Sequence, residues 1–213
     1  MEKKLHYILM ADIIDSRKLD QKKLMTEFKS LVGILNAQER SHILSPITIT
    51  LGDEFQGVLT DLESAIKVIV SIEEIILSKE LNFRLRYTLI QGRIDTEINS
   101  EIAYEMLGEG LTSAREQLQQ LKNEKNRFHV GLKDTKLANA INNAFLAFQS
   151  LIDNWTGLND VQIASMFLNG IDYKQIAIEV NREKSVIWKR KKSLKIEEYF
   201  AMKDVLGYLS SLQ

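Results

Sequence analysis

The stretch "ITLGDEFQGVL" (residues 49–59) places Gly-Asp-Glu between two runs of strand-forming residues. Gly52 and Asp53 are residue types that favour tight turns, so the stretch predicts a β-hairpin with two adjacent carboxylates at its tip. Turn formation alone explains both residues. The alternative is that the turn presents Asp53 to a cation or a phosphate, which requires a second carboxylate brought to the same place by the fold.

The flanking sequence predicts the elements around this hairpin. An apolar run at residues 5–11 indicates a buried strand that ends at Asp12, and helical periodicity follows from about residue 20 to 40. After the hairpin, Asp61 precedes a strongly apolar helix, and residues 83–91 alternate like a half-exposed strand. The order β-α-β-β-α-β is typical of a ferredoxin-like domain.

The rest of the chain changes character at about residue 133. A helix at about residues 111–122 and a short strand at 127–132 come first, and beyond them only helical periodicity is present. We therefore expect an α+β protein with two domains. Residues 1–134 form a ferredoxin-like domain, and residues 135–213 form an all-α domain.

Composition excludes several classes of protein. The 213 residues are 45% hydrophobic and 27% charged, with a net charge of −1, so no global attraction to nucleic acid or to anionic membranes is expected. The absence of cysteine excludes disulfides, thiolate metal sites and cysteine nucleophiles. Because the sequence has no secretory pattern and no apolar run of about 18 residues, we expect a cytoplasmic protein without a membrane partner.

Topology brings a second carboxylate to the hairpin. In the β-α-β-β-α-β arrangement the first two strands are parallel, with the third between them, so the end of the first strand and the hairpin turn share one sheet edge. Asp12 and Asp53 are therefore expected neighbours, with the carbonyl of Ile13 close by. Two carboxylates and a backbone oxygen suit Mg²⁺, which completes its shell with water and substrate phosphates. This set is the predicted metal site.

Four segments resemble, in order, those of the class III nucleotidyl cyclases. "ILMADIIDS" (8–16) and "ITLGDEFQGVL" look like the two metal-binding segments, and the second also resembles the hairpin of diguanylate cyclases. "FRLRYTLIQGRI" (83–94) and "MLGEGLTSARE" (106–116) look like the later strand and helix start of the cyclase domain. The resemblance implies a nucleotidyl cyclase-like fold, metal ligands at Asp12, Ile13 and Asp53, and nucleotide-binding roles for Glu54, Glu105 and Arg115.

Other cyclase positions are not matched. Residues 47–51 contain no lysine to select adenine, and Thr112 and Glu116 occupy the positions where the family has asparagine and arginine; Arg115 lies one residue early. The metal carboxylates are thus present without the residues that select the base and stabilise the transition state. As a whole, the chain resembles the SatD family, whose members pair such a domain with a helical C-terminal one.

The C-terminal part contains the basic segment "DYKQIAIEVNREKSVIWKRKKSLKIEEY" (172–199). Eight basic residues against two acidic ones lie between Lys174 and Lys195, on a chain that is nearly neutral overall. A solvated helix in a bundle is one explanation. The apolar spacing also resembles a helix-turn-helix of the sigma-factor region-four or response-regulator kind, although the turn has no glycine. Such a motif implies binding to duplex DNA.

The motif divides the predicted DNA contacts into two groups. Early residues of the second helix approach base edges, and later ones approach phosphates. The base-edge group is Glu183, Lys184, Ser185 and Lys189, and the phosphate group is Arg190, Lys191 and Lys192. The long final helix would cover the motif or form the contact of a homodimer.

Two functional hypotheses therefore stand. The first is a DNA-binding regulator whose cyclase-like domain acts as a sensor or dimerisation unit. The alternative is a Mg²⁺-dependent protein that binds or processes a nucleotide through Asp12 and Asp53.

Overall fold

A computed structural model of the chain describes residues 4–213. The strands are β1 (Leu5–Ile13), β2 (Ile43–Leu51), β3 (Glu54–Leu59), β4 (Leu85–Arg93) and β5 (Phe128–Gly131). The α-helices are α1 (Gln21–Gln38), α2 (Leu62–Ser78), α3 (Glu109–Leu121), α4 (Thr135–Ile152), α5 (Leu158–Leu168), α6 (Tyr173–Glu179), α7 (Lys184–Ser193) and α8 (Ile196–Ser210).

All five strands form one sheet in the order β2-β3-β1-β4-β5. The first four strands in this order pair antiparallel with their neighbours, and β5 pairs parallel with β4. The strands β1 and β2 therefore run in the same direction with β3 between them. This is the ferredoxin-like arrangement that the sequence predicts, extended by β5. The hairpin turn contains Gly52 with a φ of +43°, a left-handed conformation that favours glycine.

The two faces of the sheet are covered by different helices. Leu9 and Ala11 of β1 belong to the large core formed with α1 and α2, whereas Ile8 and Met10 belong to a smaller core formed with α3. Helix α3 approaches β4 closely, since a Cβ atom built on Gly92 would lie 2.5 Å from the Cα atom of Gly110. Successive side chains of β1 point to opposite faces of the sheet, so their position along the strand determines which helices cover them.

Amide side chains from helices cover both edge strands. Asn36 of α1 accepts a hydrogen bond from the N–H of Ile47 (2.9 Å) and donates one to its carbonyl (2.8 Å). Asn142 of α4 makes the same two bonds with Val130 of β5, both at 2.8 Å. The strand β2 contains Pro46, which it tolerates because it is an edge strand with register shifts.

The helical C-terminal part packs directly on the sheet part. Helix α4 lies against β5, α5 against α2, and α8 against α4 and α2. The rings of Phe128, Phe145, Phe148 and Tyr199 contact one another across this junction. One core of buried residues therefore extends through both parts, and the division into domains at residue 134 stays a prediction.

A buried ion-pair network joins β4, α2 and α4. Arg127, immediately before β5, donates hydrogen bonds to the carboxylates of Glu73 and Asp153 and to the carbonyl of Leu85. The hydroxyl of Tyr87 donates to Glu73 at 2.6 Å. We call Arg127, Glu73, Asp153 and Tyr87 the Arg127 cluster. The two carboxylates raise the pKa of Arg127 despite its burial, which fixes its positive charge.

None of the helices in residues 4–213 is long and apolar enough to cross a lipid bilayer.

Candidate functional site

Three strands place charged residues side by side at one edge of the sheet. In the register of β1, Asp12 lies opposite Glu54 of β3 on one side and opposite Arg86 of β4 on the other. Alternation points these three side chains to the face that α3 covers. Helix α3 adds Arg115 and the residue after its end, Lys122. We call Asp12, Asp53, Glu54, Arg86, Arg115 and Lys122 the edge cluster.

Asp12 is held by two basic side chains. The guanidinium of Arg86 donates to both of its carboxylate oxygens, with Nη1 3.1 Å from Oδ1 and 3.3 Å from Oδ2. The ammonium of Lys122 lies 3.1 Å from Oδ2. Only 4% of the Asp12 side chain and 15% of the Arg86 side chain are exposed, whereas 39% of Lys122 is. The Asp12–Arg86 pair is therefore largely buried, and Lys122 closes it from the solvent side.

Glu54 is the second buried carboxylate of the edge cluster. Its carboxylate lies 3.7 Å from the guanidinium of Arg115, which is 44% exposed. Burial raises the pKa of Glu54, and the positive charges of Arg115 and Lys122 oppose this increase. The folded protein therefore makes Glu54 easier to protonate than an ordinary glutamate.

Asp53 ties the hairpin turn to the end of β1. Its carbonyl accepts a hydrogen bond from the N–H of Ile13 at 2.9 Å. Its carboxylate accepts one from the hydroxyl of Ser16 at 2.5 Å. The structure thus brings Asp12, Ile13 and Asp53 together, as the strand topology predicts. Their role as metal ligands stays a prediction.

The donors around these carboxylates decide whether a divalent cation fits. Asp12 already binds Arg86 and Lys122, and Asp53 already binds Ser16. Within residues 4–213, no group of three or more histidine, cysteine, aspartate or glutamate side chains is arranged to hold a metal ion. As arranged, the predicted Mg²⁺ ligands do not fit the ion, because two protein cations occupy the oxygens of Asp12 and the Ser16 hydroxyl occupies an oxygen of Asp53.

Glu105 lies outside the edge cluster. It belongs to an irregular segment, residues 94–108, that lies across the β2–β3 part of the sheet through bonds such as Ala103 N–H to the Thr48 hydroxyl (2.9 Å). Glu105 is exposed, has a φ of +58°, and makes no ion pair or side-chain hydrogen bond with the residues that the structure describes. No contact in the described chain links it to Asp12 or Asp53, so its predicted nucleotide role is without structural support.

The basic segment forms two helices joined by a tight turn. In α6, Ile176 and Ala177 are buried, and Ile187 of α7 is buried against them. Between the helices, Asn181 adopts a left-handed conformation with a φ of +50°. Asparagine tolerates this conformation better than most residues, so Asn181 fills the place that a glycine takes in other turns. The missing glycine is thus no obstacle to a helix-turn-helix geometry.

The predicted DNA contacts divide into free and engaged side chains. Lys184, Ser185, Lys189 and Lys192 are exposed on α7. Arg190 instead pairs with Asp160 of α5, and Lys191 lies 3.0 Å from Glu197 of α8. The exposed Trp188 carries the ammonium of Lys192 over its ring, 4.1 Å from the centroid. Arg190 therefore primarily links α7 to α5, because its guanidinium is already neutralised by Asp160.

A comparison with protein families identifies the chain. The model described as "SatD family (SatD)" matches residues 6–209. The chain belongs to the SatD family. No curated protein matches it.

Solved structures similar to this SatD chain include nucleotidyl cyclases. A bacterial light-regulated adenylyl cyclase is 14% identical with a TM-score of 0.46, over 59% of this chain and 74% of that one. An adenylate/guanylate cyclase/hydrolase from Silicibacter pomeroyi is 19% identical (TM-score 0.43; 57% and 72%). The guanylyl cyclase domain of the RhoGC fusion protein from Blastocladiella emersonii is 16% identical (TM-score 0.44; 60% and 81%).

Sequence reasoning missed three residues that bind the carboxylates of the edge cluster. Arg86 and Lys122 pair with Asp12, and Ser16 binds Asp53. A signal for Arg86 was present, because a basic residue at the start of a strand antiparallel to β1 falls opposite the end of β1. No sequence pattern marked Lys122 or Ser16, whose positions depend on how α3 and the turn after β1 pack.

Proposed function

We propose that the edge cluster of this SatD protein binds a nucleotide through its phosphate groups and that the protein does not cyclise it. Support comes first from the sequence, since the two segments that resemble the cyclase metal-binding segments are adjacent in the fold. The residues that would select the base and stabilise a cyclisation transition state are not matched. Binding without cyclisation is the function that fits both facts.

One observation carries the proposal. Arg115 and Lys122 are two long basic side chains of the same helix region, seven residues apart and thus on one face, and both are partly exposed. Their present partners are the carboxylates of Glu54 and Asp12 within the same cluster. A phosphate could therefore take over both cations by side-chain rotation alone, with charge-assisted hydrogen bonds replacing those to the carboxylates.

Glu54 adjusts the charge of the site to such a ligand. Its pKa is already raised by burial, and a phosphate placed beside it would raise the pKa further by repulsion. Uptake of a proton by Glu54 would remove one negative charge next to the ligand. Nucleotide binding is therefore expected to strengthen as the pH falls towards the titration range of this carboxyl group.

The test is thermal unfolding with each of the four nucleoside triphosphates, with and without Mg²⁺. A ligand that binds only the folded state adds about 2.7 kcal/mol at one hundred times its dissociation constant, so one nucleotide should raise Tm clearly. Lys122→Met should abolish that shift, whereas the matched control Lys125→Met, an exposed lysine three residues away, should retain it. If no nucleotide shifts Tm, the proposal is wrong.

A second function, binding of duplex DNA by α6 and α7, is favoured by the left-handed Asn181 turn and by the exposed basic face of α7. Lys184, Ser185 and Lys189 would approach base edges, and Lys192 a phosphate. A homodimer would present two such helices to a two-fold symmetric site. Size-exclusion chromatography with light scattering tests the homodimer.

Fluorescence anisotropy with a labelled random duplex tests DNA binding. Affinity should fall steeply with salt, because each neutralised phosphate releases counterions. Lys189→Glu with Lys192→Glu should weaken binding on any sequence, while Lys29→Glu, an exposed lysine on α1, should leave it unchanged. Binding that is absent at low ionic strength, or equally sensitive to both sets of substitutions, would exclude a role for α7.

A further inference from the structure

We infer that Arg86 and Lys122 are the resident cations of the edge cluster and hold the place of a divalent metal on Asp12, so the site takes its phosphate ligand without a metal cofactor. The ligand class in this inference rests on the proposed nucleotide function. Whether Asp12 binds a divalent metal can be tested without any nucleotide.

The position of Arg86 is set by the sheet itself. It lies directly opposite Asp12 in the β1–β4 register, on the same face, and its guanidinium donates to both carboxylate oxygens. Because its side chain is largely buried between the strands and α3, it has little freedom to move away. A planar guanidinium that binds a carboxylate in this way is a permanent positive charge, since arginine does not deprotonate in proteins.

Lys122 completes the neutralisation of Asp12. Its ammonium lies 3.1 Å from Oδ2, so this carboxylate has a positive partner on each oxygen. A divalent cation placed on Asp12 would lie beside two like charges. Magnesium also needs near-ideal octahedral geometry, and the second carboxylate predicted to bind it, Asp53, is already bound to the Ser16 hydroxyl.

The two cations have different expected roles towards a ligand. Arg86 is fixed and compensates Asp12, whereas Lys122 is partly exposed and is free to rotate from Asp12 to a phosphate. Asp12 therefore keeps Arg86 as its cation both without the ligand and with the ligand bound. The site thereby avoids the unpaired buried carboxylate that would otherwise follow when Lys122 moves to the ligand.

Titration with Mn²⁺ alone, followed by electron paramagnetic resonance, tests the inference. For the unmodified protein we expect no Mn²⁺ binding that depends on Asp12, so Asp12→Asn should leave the titration unchanged. A single Mn²⁺ site that Asp12→Asn weakens tenfold or more would overturn the inference. This comparison uses only the unmodified protein and one conservative variant.

A gain-of-binding variant provides the second arm. Arg86→Met combined with Lys122→Met frees both oxygens of Asp12 and should create a Mn²⁺ site that is lost when Asp12→Asn is added. Lys122→Met alone, at a partly exposed position, should produce a weaker Mn²⁺ site that also depends on Asp12. This single variant is the test if the double variant fails to fold. If a folded variant lacking these cations gains no Mn²⁺ site, the two basic residues do not hold the place of a metal and the inference is wrong.

Nucleotide binding separates this inference from the proposed function. If a nucleotide raises Tm equally in EDTA and in Mg²⁺, both statements hold. A shift that disappears in EDTA supports nucleotide binding and overturns the metal-free site. If no nucleotide shifts Tm, the proposed function fails while the Mn²⁺ titrations still decide the role of Arg86 and Lys122.

Discussion

The edge cluster and the Arg127 cluster lie on opposite faces of β4, and both pair arginine with aspartate and glutamate. They differ in how many of their hydrogen-bond donors are already bound. In the Arg127 cluster, the guanidinium donates from all three of its nitrogens to Glu73, Asp153 and the carbonyl of Leu85. In the edge cluster, Arg115 and Lys122 each face one carboxylate and remain partly exposed. The first arrangement has no donor left for a ligand.

The two clusters thus differ in whether their hydrogen-bond donors are already bound, and not in their charge. A structural ion pair has no donor left, whereas a binding site keeps cations that can turn to a ligand. The Arg127 cluster ties the end of α4 to β4 and α2 through hydrogen bonds of Arg127, and its loss would leave two carboxylates without their main partner. The edge cluster keeps its fixed pair, Asp12 and Arg86, inside and its rotatable cations outside. Only the second arrangement can exchange an internal partner for an external one at low cost in stability.

The largest expected effect is on the saturated cluster. Arg127→Met leaves Glu73 and Asp153 at a buried junction without their shared cation, which should cost about 3–5 kcal/mol of unfolding free energy. Urea unfolding measures the loss. Arg84→Met removes a more exposed partner of Asp153 and should cost far less. Equal losses for the two variants would contradict the distinction.

Removal of the fixed pair of the edge cluster should have the next largest effect. Arg86→Met leaves Asp12 buried with Lys122 as its only cation, so we expect a loss of about 1–3 kcal/mol in urea unfolding. The double variant Asp12→Asn with Arg86→Met should lose less than the sum of the two single variants, because the pair is removed as a unit. Strict additivity would show that the two residues do not interact.

The raised pKa of Glu54 predicts how the free energy of unfolding depends on pH. Because the folded-state pKa is raised above the unfolded one, the stability that Glu54 contributes is present below the unfolded pKa and is lost as the pH rises through the folded pKa. Glu54→Gln should therefore be nearly neutral in acid and stabilising, relative to the unmodified protein, at neutral pH. Unfolding free energies of both proteins across this range check the sign; a difference that does not grow with pH would contradict it.

The smallest expected change in stability is for a rotatable cation. Lys122→Met should alter the unfolding free energy by no more than about 0.5–1 kcal/mol, because its pair is partly exposed and Arg86 still neutralises Asp12. The same substitution should abolish the nucleotide-dependent shift in Tm. A large loss of stability would instead place Lys122 among the saturated, structural charges.

The sequence predicted what depends on periodicity, turns and strand order. The adjacency of Asp12 and Asp53 followed from topology alone, and Gly52 in its left-handed turn marked the hairpin. The C-terminal part contains only helices from α4 onwards, as its helical periodicity predicts. These features are local or are fixed by the connection rules of small sheets.

The charge pairings could not be predicted in the same way. Arg127 stands at the start of the predicted strand 127–132 and follows a polar stretch, and nothing in the sequence marks it as buried, yet the folded protein buries it. The sequence predicts that Arg190 contacts a DNA phosphate, but its guanidinium instead pairs with Asp160 of α5, thirty residues earlier. Each pairing depends on the register or crossing of elements distant in sequence, and that information is absent from a single helix or strand pattern.

The amide caps on the two outer strands have a consequence for how copies of this protein can meet. An exposed strand edge is a template on which another chain can extend a sheet and, in the extreme, build a fibril. Asn36 and Asn142 occupy the outward-facing N–H and carbonyl of Ile47 and Val130, as a neighbouring strand would. At these positions the sheet is terminated by its own helices, so an incoming strand finds the hydrogen-bonding groups already taken.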